Sequence, residues 1–199
     1  MKPIAVRTIG PEQVTLGELA LRKTAGAAQR TRGALLRKLV GVRAGPDLRV
    51  GRHVLLRGVR GIHLGSYVTL TDDVWLNVIS GLGLPFPQLE IGNNVGLGRR
   101  TTISVAEHVT IGHETITAPN VLITDHNHAH RSSNRAIRSQ GITDPDPVLI
   151  GAGCWLGANC IILPGARIGD GSVVGANAVV RGSHPPKSVL VGCPARNVG

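Results

Sequence analysis

The clearest repeat in the sequence spans Ile150 to Val179 and reads IGAGCW, LGANCI, ILPGAR, IGDGSV and VGANAV. Each six-residue unit opens with an aliphatic residue and carries a small residue in its fifth place. These two positions are, in order, Ile150/Cys154, Leu156/Cys160, Ile162/Ala166, Ile168/Ser172 and Val174/Ala178. The same register appears earlier at Leu64/Val68, Leu70/Val74, Ile91/Val95, Leu97/Thr101 and Ile111/Thr115. Neither the period of an α-helix nor that of an ordinary strand explains a spacing of six.

A six-residue period predicts a triangular prism of short strands. Each hexapeptide forms one strand and one corner, so three of them complete a coil of about 18 residues. The aliphatic opener and the small fifth residue point inward. We therefore expect an all-β solenoid, a left-handed parallel β-helix, whose coils are stacked about 4.8 Å apart. Cys154 and Cys160 fall on the small inward position and are predicted core residues, whereas Cys193 lies outside the repeat.

The composition excludes several classes of protein. The chain has 199 residues, 42% hydrophobic, yet only 2 Trp, 1 Tyr and 1 Phe, which argues against an RNA-binding surface built on stacking aromatics. No run of about 18 apolar residues that could cross a membrane is present. Residues 1–14 lack the apolar segment of a secretory signal, and 3 cysteines do not form a disulfide framework. We therefore expect a cytoplasmic protein.

The positive charge is concentrated in the N-terminal segment. The formal net charge is +10, and residues 1–50 hold 10 Lys/Arg against 3 Asp/Glu. Residues 1–47 are predicted to be a basic helical segment, with a helix over residues 15–40, and residues 48–199 a β-helix domain. Two interpretations stay open: a cap over the end of the solenoid, or a basic helix lying peripherally on an anionic membrane. No recognised nucleic-acid-binding motif accompanies the charge, so no nucleic-acid partner is expected.

Two insertions interrupt the repeat, at Ser80–Gln88 and at residues 124–147. The longer one contains His126, His128 and His130 in alternation, so an extended backbone would place them on one face. Successive same-face residues of one strand are poorly arranged for a tetrahedral metal site, and no metal is predicted. A neutral imidazole can instead take a proton from a hydroxyl group. The alternative is that these are solvated loop histidines.

Three segments together resemble the hexapeptide-repeat acyltransferases. They are IGHETITAPNVLITDHNH (residues 111–128), PVLIGAGCWLGANCIILPG (residues 147–165) and VGCPAR (residues 191–196). The subgroup that they resemble is that of the galactoside, maltose and polysaccharide O-acetyltransferases. The resemblance implies a left-handed β-helix, a homotrimer, and acetyl-CoA bound between neighbouring subunits. It also implies direct attack of an acceptor hydroxyl on the thioester, with the acceptor a carbohydrate or another hydroxyl compound.

The resemblance also assigns roles to individual residues. Counted without gaps from Ile111, the catalytic histidine of the family falls on His128, and His126 is then expected to orient the acceptor. The residues that match the cofactor-binding positions are Trp155, Ala158, Ala176 and, near the nucleotide end of the cofactor, Arg196. A lysine that the family places after the last regular coil is replaced by Gly182, so the neighbouring Arg181 is the expected substitute.

The acceptor site departs from the family pattern. Sugar-specific members carry an asparagine where this chain has Gly98, followed by Arg99, so the resemblance places these two residues at the acceptor but does not name it. Two other function classes remain open. A γ-carbonic-anhydrase-like metal enzyme would need a second histidine five residues after His113, where Ala118 stands. A non-catalytic scaffold would not need the histidine-bearing insertion.

Overall fold

The protein was analysed as a computed structural model that describes residues 16–81 and 88–199. Its N-terminal part is helix α1 (Leu16–Leu35), followed by a π-helical turn (Leu36–Val40) that ends at Gly41 with φ 72°. The helix predicted over residues 15–40 is confirmed from residue 16 onward. Two short 3-10 turns, Val59–Gly61 and Ile137–Ser139, lie outside the repeat. No described helix is both long and apolar enough to cross a membrane.

Short strands in the described residues form three sheets whose neighbouring strands run parallel, apart from the last pair. Sheet A contains β1 (Arg43–Ala44), β4 (Ile62–Leu64), β7 (Gln88–Ile91), β10 (His108–Ile111), β13 (Val148–Ile150), β16 (Arg167–Ile168) and β19 (Ser183–His184). Sheet B contains β2 (Arg49–Val50), β5 (Thr69–Leu70), β8 (Gly96–Leu97), β11 (Ile116–Thr117), β14 (Trp155–Leu156), β17 (Val173–Val174), β20 (Val189–Val191) and the antiparallel β21 (Arg196–Asn197). Sheet C contains β3 (Leu55–Arg57), β6 (Trp75–Val78), β9 (Thr102–Val105), β12 (Leu122–Thr124), β15 (Ile161–Ile162) and β18 (Val179–Val180).

The chain visits sheets A, B and C in turn, and each new coil stacks on the one before. Residues at equivalent repeat positions are therefore paired, as Ile150 is with Ile168 in sheet A. The openers and the small fifth residues of all five units quoted first are buried, including Cys154 and Cys160. The predicted left-handed parallel β-helix is confirmed, and its core is filled by these inward-facing aliphatic side chains.

Helix α1 packs against the first coil. Gly33 lies so close to Leu48 that an added Cβ would stand 1.9 Å from its carbonyl oxygen. Arg32 Nε donates a hydrogen bond of 2.8 Å to the carbonyl of Val50, beside it. These contacts agree with the cap interpretation. Strand β1 already belongs to sheet A at Arg43, so the solenoid has begun before the predicted boundary at residue 48.

Candidate active site

The longer insertion leaves sheet C at the end of β12 and returns to sheet A at Val148. It protrudes as an antiparallel arm, which we define as residues 127–143. His128 is paired with Ile142, and the backbone N–H of Thr143 donates to the carbonyl of Asn127 at 2.8 Å. The arm therefore stands on the edge of the prism between sheets C and A. The shorter insertion lies mostly outside the described residues.

A buried carboxylate anchors the root of the arm. Asp125 is fully buried and accepts hydrogen bonds from the backbone N–H groups of residues 106, 107 and 108 at distances of 2.8–3.1 Å. Its Oδ1 also lies 2.7 Å from Nδ1 of His126, whose side chain is only 11% exposed. When Nδ1–H donates to this carboxylate, Nε2 keeps its lone pair and can accept a proton.

Sequence reasoning missed this contact. Asp125 continues the inward alternation of Val121 and Ile123, and in such an alternation His126 faces the opposite way. The carboxylate nevertheless reaches the imidazole of the next residue. An acidic residue directly before the first histidine of an insertion was the only signal in the sequence.

The other two histidines occupy a different environment. His128 and His130 are exposed and line a groove of about 760 Å³ together with Arg131, Gln140 and Asp144. His130 Nδ1 lies 3.2 Å from the carbonyl oxygen of His128. The expectation that all three histidines share one face is therefore wrong, because His126 turns toward the root of the arm. No cluster of three metal-ligating side chains occurs in residues 16–81 and 88–199.

The predicted cofactor residues lie mainly on sheet B and on its edge with sheet C. Trp155 projects outward from sheet B, 51% exposed, in register with Ile116 and Val173. Arg196 is exposed on β21, which is three strands away in the same sheet, or roughly 14 Å at about 4.8 Å per strand. The row of Ile116, Trp155 and Val173 continues to Val189, and Arg196 is paired with Val191, two residues further along that strand. An apolar strip with a guanidinium beside its end suits an extended ligand with a phosphate at one end.

Small residues line the edge beside this strip. Ala158 and Ala176 occupy the same corner position in successive coils, where the backbone N–H of Asn177 donates to the carbonyl of Ala158 at 2.9 Å. Arg99 lies on the same edge. Pro119 occupies the equivalent position in the next coil, and Ala158 occupies it in the coil after that. The structure thus brings the predicted residues Arg99, Ala158 and Ala176 onto one edge.

Gly98 and Arg99 are both held closely by their neighbours at this edge. Gly98 packs so tightly that an added Cβ would lie 2.5 Å from the carbonyl oxygens of Thr117 and Ala118. Arg99 Nε donates to Asp73 Oδ2 at 3.0 Å, and this hydrogen bond lowers the pKa of the Asp73 carboxyl. The carboxylate of Asp73 therefore offsets part of the positive charge of Arg99.

The arm lies on an edge of the prism, whereas the apolar strip around Trp155 lies on the face of sheet B. His126 and His128 stand at the edge between sheets C and A, and Arg181 lies on that same edge in a later coil. Trp155, in contrast, faces outward from sheet B. A single chain therefore does not bring the candidate base against the tryptophan.

Comparisons with known proteins agree with the geometry. Residues 147–182 match the family described as "Bacterial transferase hexapeptide (six repeats)". The Escherichia coli protein WbbJ, named as a lipopolysaccharide biosynthesis O-acetyl transferase, is 37% identical over 167 residues, covering 75% of this chain and 85% of WbbJ. The chain belongs to the hexapeptide-repeat acyltransferases.

Other members of the hexapeptide-repeat acyltransferases are also similar. The galactoside O-acetyltransferase of Escherichia coli is 31% identical over 136 residues, or 65% of this chain and 62% of that enzyme. A crystal structure of a maltose O-acetyltransferase from Clostridium difficile is 27% identical, covers 90% of this chain and 83% of its own, and superposes with a TM-score of 0.54. The Bacillus cereus N-acyltransferase AntD, solved with coenzyme A and a dTDP-sugar, shares the fold at 18% identity, covering 83% and 86% of the two chains, with a TM-score of 0.69.

Proposed function

We propose that this protein is an acetyl-CoA-dependent O-acetyltransferase that acts on a hydroxyl group of a sugar, a polysaccharide or a related molecule. The observation that carries the proposal is the histidine-bearing arm. It is inserted into a solenoid that also exposes Trp155 on the outer face of sheet B. The relatives named above as O-acetyltransferases support the same reaction.

In the proposed reaction His128 is the general base. Its imidazole is exposed in the arm groove, where an acceptor hydroxyl can reach it. The imidazole takes the hydroxyl proton while the oxygen attacks the thioester carbonyl carbon. The carbon–sulfur bond then breaks, and the CoA thiolate leaves with the proton that the imidazolium returns. The products are the acetyl ester and free CoA.

The remaining predicted residues hold the two substrates. We infer that His126, fixed by Asp125, orients the acceptor beside His128, and that Gly98 and Arg99 belong to the acceptor side. The proposed acetyl-CoA contacts are Trp155, Ala158, Ala176 and Arg196 of one subunit, together with Arg181 of its neighbour, which lies on the edge that carries the arm. Trp155 offers a rigid apolar surface, and Arg196 offers a planar pair of donors for a phosphate.

We further propose that the active unit is a cytoplasmic homotrimer. The arm lies on the edge between sheets C and A, whereas Trp155 lies on the face of sheet B, so a neighbouring subunit is needed to bring them together. Threefold packing also covers apolar side chains that single chains leave outside, such as Ile116 at 52% exposed. Light scattering tests this inference, and a fully active monomer at micromolar concentration would exclude it.

The reaction is tested by incubating the protein with radiolabelled acetyl-CoA and a panel of carbohydrate acceptors. We expect label to appear as a base-labile ester on at least one acceptor and free CoA to appear in equal amount. Release of CoA without an acetylated product would indicate hydrolysis only. No CoA binding and no transfer would leave a scaffold as the better description.

A further inference from the structure

The first coil of the solenoid carries an exposed arginine on every side. Arg43 projects from sheet A, Arg49 from sheet B and Arg57 from sheet C, and Arg60 follows in the next corner. All four are exposed. We call these four residues the arginine collar.

The collar is confined to one end of the molecule. In sheet A the outward residues that follow Arg43 in the next three coils are His63, Glu90 and Thr110. In sheet B those that follow Arg49 are Thr69, Gly96 and Ile116. In sheet C those that follow Arg57 are Asn77, Ser104 and Thr124. None of these positions carries a lysine or an arginine.

The charge of the collar is largely uncompensated. Within the described part of the chain, no ion pair involves Arg49, Arg57 or Arg60, and the contact of Arg43 is to His63 Nε2 at 3.3 Å. The nearby carboxylates of Asp72 and Asp73 are paired with Arg52, His53 and Arg99 instead.

The end of helix α1 adds to the same surface. The helix packs on β2, and the turn after it exposes Arg37 and Lys38. Leu35 beside them is 54% exposed, an apolar side chain among cations. Basic side chains around an exposed apolar residue are typical of surfaces that lie on anionic bilayers.

We propose that the arginine collar and the end of helix α1 dock the protein on an anionic lipid bilayer. The negative potential of such a surface attracts each nearby arginine, and Leu35 can enter the headgroup region. Rotation about the threefold axis of a trimer keeps the same end of each subunit on the same side. The three collars would therefore face the bilayer together and bind it cooperatively. This step rests on the trimer of the proposed function.

The test is co-sedimentation of the full chain with phosphatidylcholine vesicles, with and without phosphatidylserine. We expect binding only when phosphatidylserine is present, and loss of binding in high salt because the Debye length shrinks. Replacing Arg43, Arg49 and Arg57 together by glutamate should weaken binding on the order of a hundredfold. Leu35→Ser should weaken it less, with the salt dependence unchanged.

A charge-matched control replaces Arg135, Arg138 and Arg167, which lie on the arm and in a later coil, by glutamate. This control should keep vesicle binding, and the melting temperature of both triple variants reports whether they fold. Equal loss in the two triple variants, or no binding by the wild type, would overturn the proposal. Displacement of the protein from vesicles by equimolar DNA phosphate would assign the collar to a nucleic acid instead. Acetylation of a soluble acceptor should be unchanged in the collar variant, so failure of docking and failure of the proposed reaction are separate results.

Discussion

Oδ1 of Asp125 lies 2.7 Å from Nδ1 of His126, and the same carboxylate holds three consecutive backbone N–H groups of the preceding coil. Asp125, at the root of the arm, is thus hydrogen-bonded both to the backbone of the solenoid and to a histidine. His128, two residues further along, is exposed and has no comparable partner among the described residues. The two histidines therefore differ in how firmly they are held, and this difference can be measured.

His128→Ala should lower kcat by about 10²–10⁴-fold, because a general base contributes in that range. The Michaelis constant for acetyl-CoA should change little, since the loss falls on the transition state. His126→Ala should lower kcat much less. Steady-state kinetics of the two variants side by side give the answer. An inactive His126→Ala beside an active His128→Ala would assign the base to the Asp125–His126 pair and exchange the two roles.

Asp125→Ala should destabilise the fold strongly. The substitution leaves the N–H groups of residues 106–108 without their acceptor, and each buried unsatisfied donor costs about 1–3 kcal/mol. We expect the free energy of unfolding to fall by about 3 kcal/mol or more, measured by denaturant unfolding. Asp144→Ala, at an exposed position directly after the arm, serves as the control and should stay within about 0.5 kcal/mol of wild type. Equal effects of the two substitutions would contradict the anchoring role.

Trp155→Ala and Arg196→Ala should each raise the Michaelis constant for acetyl-CoA by roughly tenfold, since each removes one proposed contact with the donor. The effect of Arg196→Ala should shrink at high salt, because phosphate pairing is screened there. Arg167→Ala is the matched control, an exposed arginine on sheet A away from the strip. Unchanged constants in both variants would show that the donor binds elsewhere.

Gly98→Ala should destabilise the protein by about 1–3 kcal/mol, because its Cβ would enter the space of two backbone carbonyls. Gly96→Ala, two residues earlier, is the control, since its Cβ would meet only Ile116 at 3.6 Å. That change should be neutral or slightly stabilising. For the same reason Gly98→Asn should not be tolerated, so an asparagine at this position should not create a new acceptor contact. A stable Gly98→Asn variant with a new acceptor would refute this.

Alkaline pH should destabilise the fold through the buried thiols. Burial raises the pKa of Cys160 to about 12 from an ordinary value near 9.0. The unfolded chain therefore loses this proton at lower pH than the folded one. The stabilising contribution is complete below about pH 9 and is lost as the pH rises toward 12. Cys160→Ala should show a shallower decline of unfolding free energy over this window, whereas Cys193→Ala, an exposed position, should follow the wild type.

The solenoid and the residues of its core follow from the amino-acid sequence alone. The alternation of an aliphatic and a small residue with a period of six is local information, and every predicted inward residue from Ile150 to Ala178 is buried. The position of the arm was equally readable, because residues 124–147 break that period. The helix predicted over residues 15–40 corresponds to helix α1 and the π-helical turn that follows it.

Which of these residues contact each other depends on the folded chain. Paired residues of successive coils are 20 positions apart at Arg43 and His63, but 27 at His63 and Glu90 and 39 at Thr110 and Leu149. The insertions vary the length of each coil, so no fixed spacing predicts that Asp125 reaches residues 106–108. The arm leaves the coil at the corner between sheets C and A, whereas Trp155 lies on the face of sheet B. Their separation is therefore set by the path of the coil. Local hydrophobic pattern fixes the direction in which a side chain points, whereas its neighbours depend on how many residues each coil takes to close.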